Sequence, residues 1–120
     1  MKKFSFLTLV ALSIFFSASA QTKALQIAKI STPTIQCEMC KTRIEEYLKR
    51  IDGVTFVNVA VKKKEVNVKF LSDRTNIEMI KASIANAGFD AAEIAANPEA
   101  YKALPKCCKK PEDGGGMPKH

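Results

Sequence analysis

Cys37 and Cys40 stand three positions apart in "TIQCEMCKTRIEEYL", directly ahead of an amphipathic run, while Cys107 and Cys108 are adjacent near the C-terminus. A pair at C-x-x-C spacing can close a disulfide, clamp a metal ion as two thiolates, or be two small core residues. Cys40 falls in the first turn of the helix that follows, where amide donors and the positive dipole end lower a thiol pKa. Lys41 and Arg43 add to that effect. Two thiolates suit Cu(I) or Hg(II), which accept few, soft ligands. Closed structural zinc wants four ligands, and His120 is the one histidine of the chain. A thiol-disulfide redox protein is the alternative of another class, since C-x-x-C near a βαβ pattern is also read that way. Glu38 and Met39 between the cysteines, a hairpin instead of parallel strands, and the lack of a second catalytic residue speak against it, so no enzyme is expected. Neither cysteine pair closes a loop long enough to stabilise a fold much by itself, although a bridge between the pairs stays open.

The elements that position the thiols follow from periodicity. "ALQIAKIST", residues 24 to 32, is rich in apolar and β-branched residues and reads as a strand that Pro33 ends. Ile44, Leu48 and Ile51 recur at helical spacing with charges on the other faces, and Asp52-Gly53 stops that helix. "VTFVNVAV" and "VNVKF" alternate on either side of "KKKE", which makes a hairpin with one buried face. Thr75 and Glu78 stand at capping-box spacing before a second helix with Ile77, Ile80 and Ile84 inward and Gly88 at its end. "FDAAEIAA" reads as a weak fourth strand, although its alanines would equally suit a helix. The order is β-α-β-β-α-β, an α+β ferredoxin-like sandwich of a four-stranded antiparallel sheet with two helices on one face.

The first twenty residues do not belong to that domain. Lys2 and Lys3 precede an apolar stretch from Phe4 to Phe16, and Ala18-Ser19-Ala20 ends it with a small-x-small pattern. This is the form of a cleaved signal peptide, 1–20, and predicts export to the periplasm with no stable membrane insertion afterwards. The formal net charge of +7 comes from scattered lysines with no interleaved aromatics, so nucleic acid is not an expected partner.

Several spaced motifs together resemble the heavy-metal-associated (HMA) domain family, which includes soluble copper chaperones, N-terminal modules of metal-pumping ATPases and periplasmic mercuric-ion-binding proteins. The matching stretches are "CEMCKTRIEEYLKRIDGV", "VNVAVKKKEVNVKF" and "IKASIANAGFDA", within residues 21–96. The resemblance implies that Cys37 and Cys40 are the metal thiolates and that Phe89, after Gly88, is the aromatic packed beneath the metal loop. The family has Gly-Met-x ahead of the first cysteine. Thr34-Ile35-Gln36 stands there instead, with Ile35 as the apolar anchor. The implied role is a metal-binding metallochaperone that carries Cu(I) first, with Hg(II) or Zn(II) as alternatives. Its implied partner is a metal-transporting membrane protein or another metal-binding domain.

Residues 97–120 form an extension beyond the resemblance. Asn97-Pro98-Glu99 reads as a helix start, Pro105 as its stop, and "GGG" as a flexible stretch. In the resembling fold the fourth strand ends at the pole opposite the metal loop. A following helix of about eight residues rises about 12 Å, comparable with a five-residue strand, and so could carry the chain back. Cys107 and Cys108 are therefore candidates for additional ligands beside Cys37 and Cys40. The competing expectation is a separate tail that binds metal alone or with Met117 and His120.

Overall fold

Val66, Val68 and Phe70 alternate with polar neighbours, which puts all three on one face of a strand, and all three are buried. The computed structural model describes residues 25–116, so the signal segment 1–20 and the tail residues Met117 and His120 lie outside it. Strand β1 (Leu25–Ser31) enters helix α1 (Glu38–Lys49); β2 (Val54–Ala60) and β3 (Glu65–Leu71) form the hairpin; helix α2 (Ile77–Asn86) and the short α3 (Pro98–Lys102) follow. The strands pair antiparallel in the order β1-β3-β2, with Ile30 opposite Val66 and Val59 opposite Val66 on its other side. A register shift between Val54 and Phe56 reverses the alternation of β2. Val57 and Val59 consequently face the core, while Phe56 turns outward beneath the Lys69 ammonium, 5.2 Å from the ring centre.

Helix α1 buries Cys40, Ile44 and Leu48, an i, i+4, i+8 stripe in which the second cysteine is the first member. Helix α2 buries Ile80, Ile84 and Ala85, with Ile77 partly covered. Its cap is Asn76, whose side chain accepts from the Met79 amide at 2.9 Å, and not the expected Thr75. At its end Gly88 adopts φ +105°, and the amides of Gly88 and Phe89 bond back to Ala85 and Ile84. This left-handed close is where glycine has no steric penalty.

The expected fourth strand does not form among the described residues, and the sheet has three strands. After Phe89 the chain folds into a tight turn: Ala91 and Ile94 exchange backbone bonds at 2.8 and 2.9 Å, and Ala92 takes φ 52°. The Asp90 carboxylate accepts from the Ala96 amide, and Glu93 pairs with Lys81 of α2 at 2.9 Å. A single bond, Ala92 amide to Ser31 carbonyl at 2.8 Å, ties the turn to the end of β1. Four alanines and one β-branched residue offer little side-chain packing to a sheet, so local turn bonds prevail over a ladder. No helix among the described residues is long and apolar enough to cross a membrane.

Candidate metal centre

The loop between β1 and α1 is shaped by the three residues that replace Gly-Met-x. Pro33 and Thr34 form a turn closed by the Ile35 amide on the Thr32 carbonyl at 3.2 Å. Proline presets φ for such a turn, so it starts the loop as well as ending the strand. Ile35 is thereby driven into the core, fully buried together with Phe89. Thr34 Oγ1 accepts from the Asp90 amide at 3.0 Å and fixes the loop to the turn after α2. From the hairpin, Lys64 donates its ammonium to the Ile35 carbonyl at 2.8 Å, and its own carbonyl accepts from the Thr32 amide. Lys64 holds φ 53° in a turn without glycine, a strained setting for a lysine that its two bonds to the loop offset. Sequence reasoning treated it as polar turn filler.

Cys37 is the residue that caps α1, with extended backbone angles, and Cys40 lies in the first turn. Their Sγ atoms are 3.3 Å apart. The tail brings the second pair onto them. Leu104 is buried in the notch above Gly88, where an added Cβ would meet its Cγ at 3.0 Å, and Pro105 turns the chain into a one-turn helix, Lys106–Cys108. Cys108 Sγ then sits 2.8 Å from Cys40 and 3.7 Å from Cys37, and Cys107 Sγ 3.2 Å from Cys37. The tail beyond is closed on itself: Tyr101 Oη accepts from the Lys110 amide and donates to Asp113, and the Gly116 amide reaches the Lys106 carbonyl. Gly115 packs directly on the Lys109 backbone, so the "GGG" stretch expected to be flexible is part of this fold.

The tail reaches the site by a shorter route than expected. Because residues 89–96 turn instead of running down the sheet, the chain never leaves the pole that carries the cysteines, and five residues of α3 suffice. The Cys37/Cys40 pair is not an open clamp, since Cys37 is 7% exposed, Cys40 is fully buried and Cys108 is 1% exposed.

Among the described residues, the Sγ atoms of Cys37, Cys40 and Cys108 form a set in which every pair lies within 4.8 Å. Cys107 stands outside that set, half-buried, and Met39 Sδ is 3.5 Å from it. All four thiols are free. Their acidities divide unequally. Burial opposes ionisation of Cys37, but the Cys107 thiol, the Cys40 amide and the Cys40 and Cys108 thiols outweigh it and lower its pKa. Burial, helped for Cys108 by its bond to Cys40, pushes Cys40 and Cys108 up, and the contact with Cys37 followed by burial raises Cys107. Cys37 is thus the thiol of the four that ionises most readily. Arg43 does not serve that charge directly: its Nε donates to the Ala87 carbonyl at 2.9 Å, joining α1 to the end of α2.

The heavy-metal-associated domain model matches residues 29–90. The chain belongs to that family. A COP-associated protein of Helicobacter pylori (strain ATCC 700392 / 26695) is 38% identical over 61 residues, 51% of this chain and 91% of that protein. The mercuric transport protein periplasmic component of Shewanella putrefaciens is 28% identical over 83 residues, 68% of this chain and 91% of that protein. Among solved structures, apo-CopP from Helicobacter pylori is 33% identical with a TM-score of 0.52, covering 56% of this chain and all of that one. The heavy-metal-associated domain holds Cys37 and Cys40, whereas Cys107 and Cys108 lie beyond the matched residues. The capping thiols are an addition to the family's own segment.

Proposed function

We propose that the chain is an exported, periplasmic carrier that binds one soft metal ion, Cu(I) in preference, and passes it by thiolate exchange to a metal-transporting membrane protein or another metal-binding domain. The observation that carries this reading is the buried set of three thiol sulfurs on a family scaffold named for heavy-metal association. An ion that holds three sulfurs at about 2.3 Å needs them about 4.0 Å apart, and a linear two-sulfur ion about 4.6 Å. Cys37, Cys40 and Cys108 stand 2.8 to 3.7 Å apart, so a three-coordinate ion asks for the smaller expansion. Three thiolates suit Cu(I) or Hg(II), while Zn(II) would call for a fourth ligand outside the set. Relatives named for copper and for mercuric transport support both soft ions. Cu(I) is preferred here because the relatives named copper chaperone match this chain at 30% and 32% identity, against 28% for the mercuric transport component.

Ligand exchange fits this chemistry without any redox change. A donor's sulfur leaves the ion as one of the chain's sulfurs joins it, each thiol giving its proton to solvent as it binds, so the ion is never free. Titration of the reduced protein with Cu(I), Hg(II) and Zn(II) under chelator competition tests the reading. One equivalent of Cu(I) bound far more tightly than Zn(II) is expected. Feeble binding of all three ions, with a Cys37–Cys40 reduction potential in the oxidoreductase range of about −120 to −270 mV, would favour the thiol-disulfide reading instead.

A further inference from the structure

The closed set leaves a kinetic difficulty. An ion bound by Cys37, Cys40 and Cys108 is enclosed by sulfurs of which none is more than 7% exposed, so an incoming thiolate cannot reach it from solvent. At one side of the set the enclosure is incomplete. Cys107 is half-buried, its Sγ is 3.2 Å from Cys37 and 3.9 Å from Cys108, and its thiol points to Met39 Sδ at 3.5 Å. Met39 itself is 56% exposed. It also borders a groove of about 350 Å³ lined by Glu38, Met39, Thr42, Arg43, Glu46 and Pro105. A soft sulfur therefore faces solvent, a second stands behind it, and Cys37 stands behind that.

The geometry points to Cys107 and Met39 as a second, outer soft-metal site through which the ion enters and leaves the closed three-sulfur set. This inference rests on the metal-carrier reading and adds a transfer path to it. The two donors suit the task because they differ. A thioether carries no proton and binds a soft ion weakly and reversibly, while a thiol binds strongly once its proton is lost. In the inward direction the donor-bound ion first gains the Met39 sulfur. Cys107 then releases its proton to solvent and binds, and the donor's thiolate departs with a proton taken from solvent. Cys37 next releases its proton to solvent and bonds to the ion as Met39 leaves it, and Cys40 and Cys108 lose their protons to solvent as they join, while Cys107 leaves the ion and takes a proton back from solvent. The oxidation state of the metal does not change at any step, and outward transfer is the reverse.

A path residue alters rates in both directions and leaves the equilibrium alone, whereas a ligand alters the equilibrium. Cu(I) exchange with a bicinchoninate complex separates the two, with affinity from the end point and rates from stopped-flow absorbance on the full chain. Met39→Leu and Cys107→Ser are expected to keep the affinity within about threefold of the unaltered chain and to slow both uptake and release. The slowing should be at least tenfold for Cys107→Ser and several-fold for Met39→Leu. Cys108→Ser should instead lose affinity. Unchanged rates in both outer variants would overturn the path, as would an affinity loss in Cys107→Ser equal to that of Cys108→Ser, which would make Cys107 a ligand. Failure of the unaltered chain to bind Cu(I) would overturn the carrier reading together with the path.

Discussion

The four thiols do not share one acidity, and that difference determines how the ion is bound. Cys37 is held toward the thiolate by the thiols gathered on it, while burial keeps Cys40 and Cys108 protonated at neutral pH. Metal binding must therefore displace protons mainly from Cys40 and Cys108. The sign follows directly: below the thiol pKa, raising the pH lowers the cost of displacing each proton, so affinity increases with pH. With at least these two protons released, the apparent Cu(I) affinity should rise by about a hundredfold or more per pH unit between about pH 6 and pH 8. Competition titrations against a chelator of known pH dependence measure that slope, and a flat profile would show that the bound thiols were already ionised. In Cys108→Ser the slope should fall by about tenfold per unit, since one thiol fewer gives up a proton.

At the scale of the elements, two glycines and a tyrosine fasten the tail over the loop. Gly88 closes α2 with φ +105° and leaves the notch that Leu104 fills. Gly88→Ala should cost about 1–2 kcal/mol from the left-handed backbone alone, read by urea or thermal unfolding, and should also speed labelling of Cys108 by a thiol reagent. Tyr101→Phe removes the hydroxyl that joins the Lys110 amide to Asp113. About 1 kcal/mol of tail stability should go with it, seen as faster Cys108 labelling while the cooperative unfolding of the sheet and helices hardly moves. Much of this framework was legible in the sequence. The strands, both main helices and the Asn97-Pro98 start of α3 follow from periodicity and cap chemistry, and Ile35 and Phe89 occupy the core as the family resemblance implies. The burial of Cys40 was not read, although Cys40, Ile44 and Leu48 stand at one helical spacing. What could not be read was the fate of residues 89–96. Alanine satisfies strand, helix and turn alike, and the choice was made by the local Ala91–Ile94 and Asp90–Ala96 bonds together with those of Glu93 and Ala92 to Lys81 and Ser31, partners distant in sequence. The loop-pinning role of Lys64 was hidden for the same reason, because its partners Thr32 and Ile35 belong to another element.

On the scale of the whole molecule, a heavy-metal-associated domain has been given a lid that carries its own ligand. The family segment 29–90 supplies two thiols from its metal loop, and the strap from Leu104 to Gly116 adds a third inside the closed set and a fourth at its rim. The enclosure shields the thiols from solvent and from oxidants, and slower ligand exchange is the expected cost. The number of sulfurs on the ion separates this arrangement from a two-thiolate site with a merely neighbouring tail. X-ray absorption fine structure at the copper edge of the Cu(I)-loaded full chain counts them directly. Three sulfur scatterers are predicted in the unaltered chain, falling to two in Cys108→Ser; two in the unaltered chain, with no change on that substitution, would contradict the shared site.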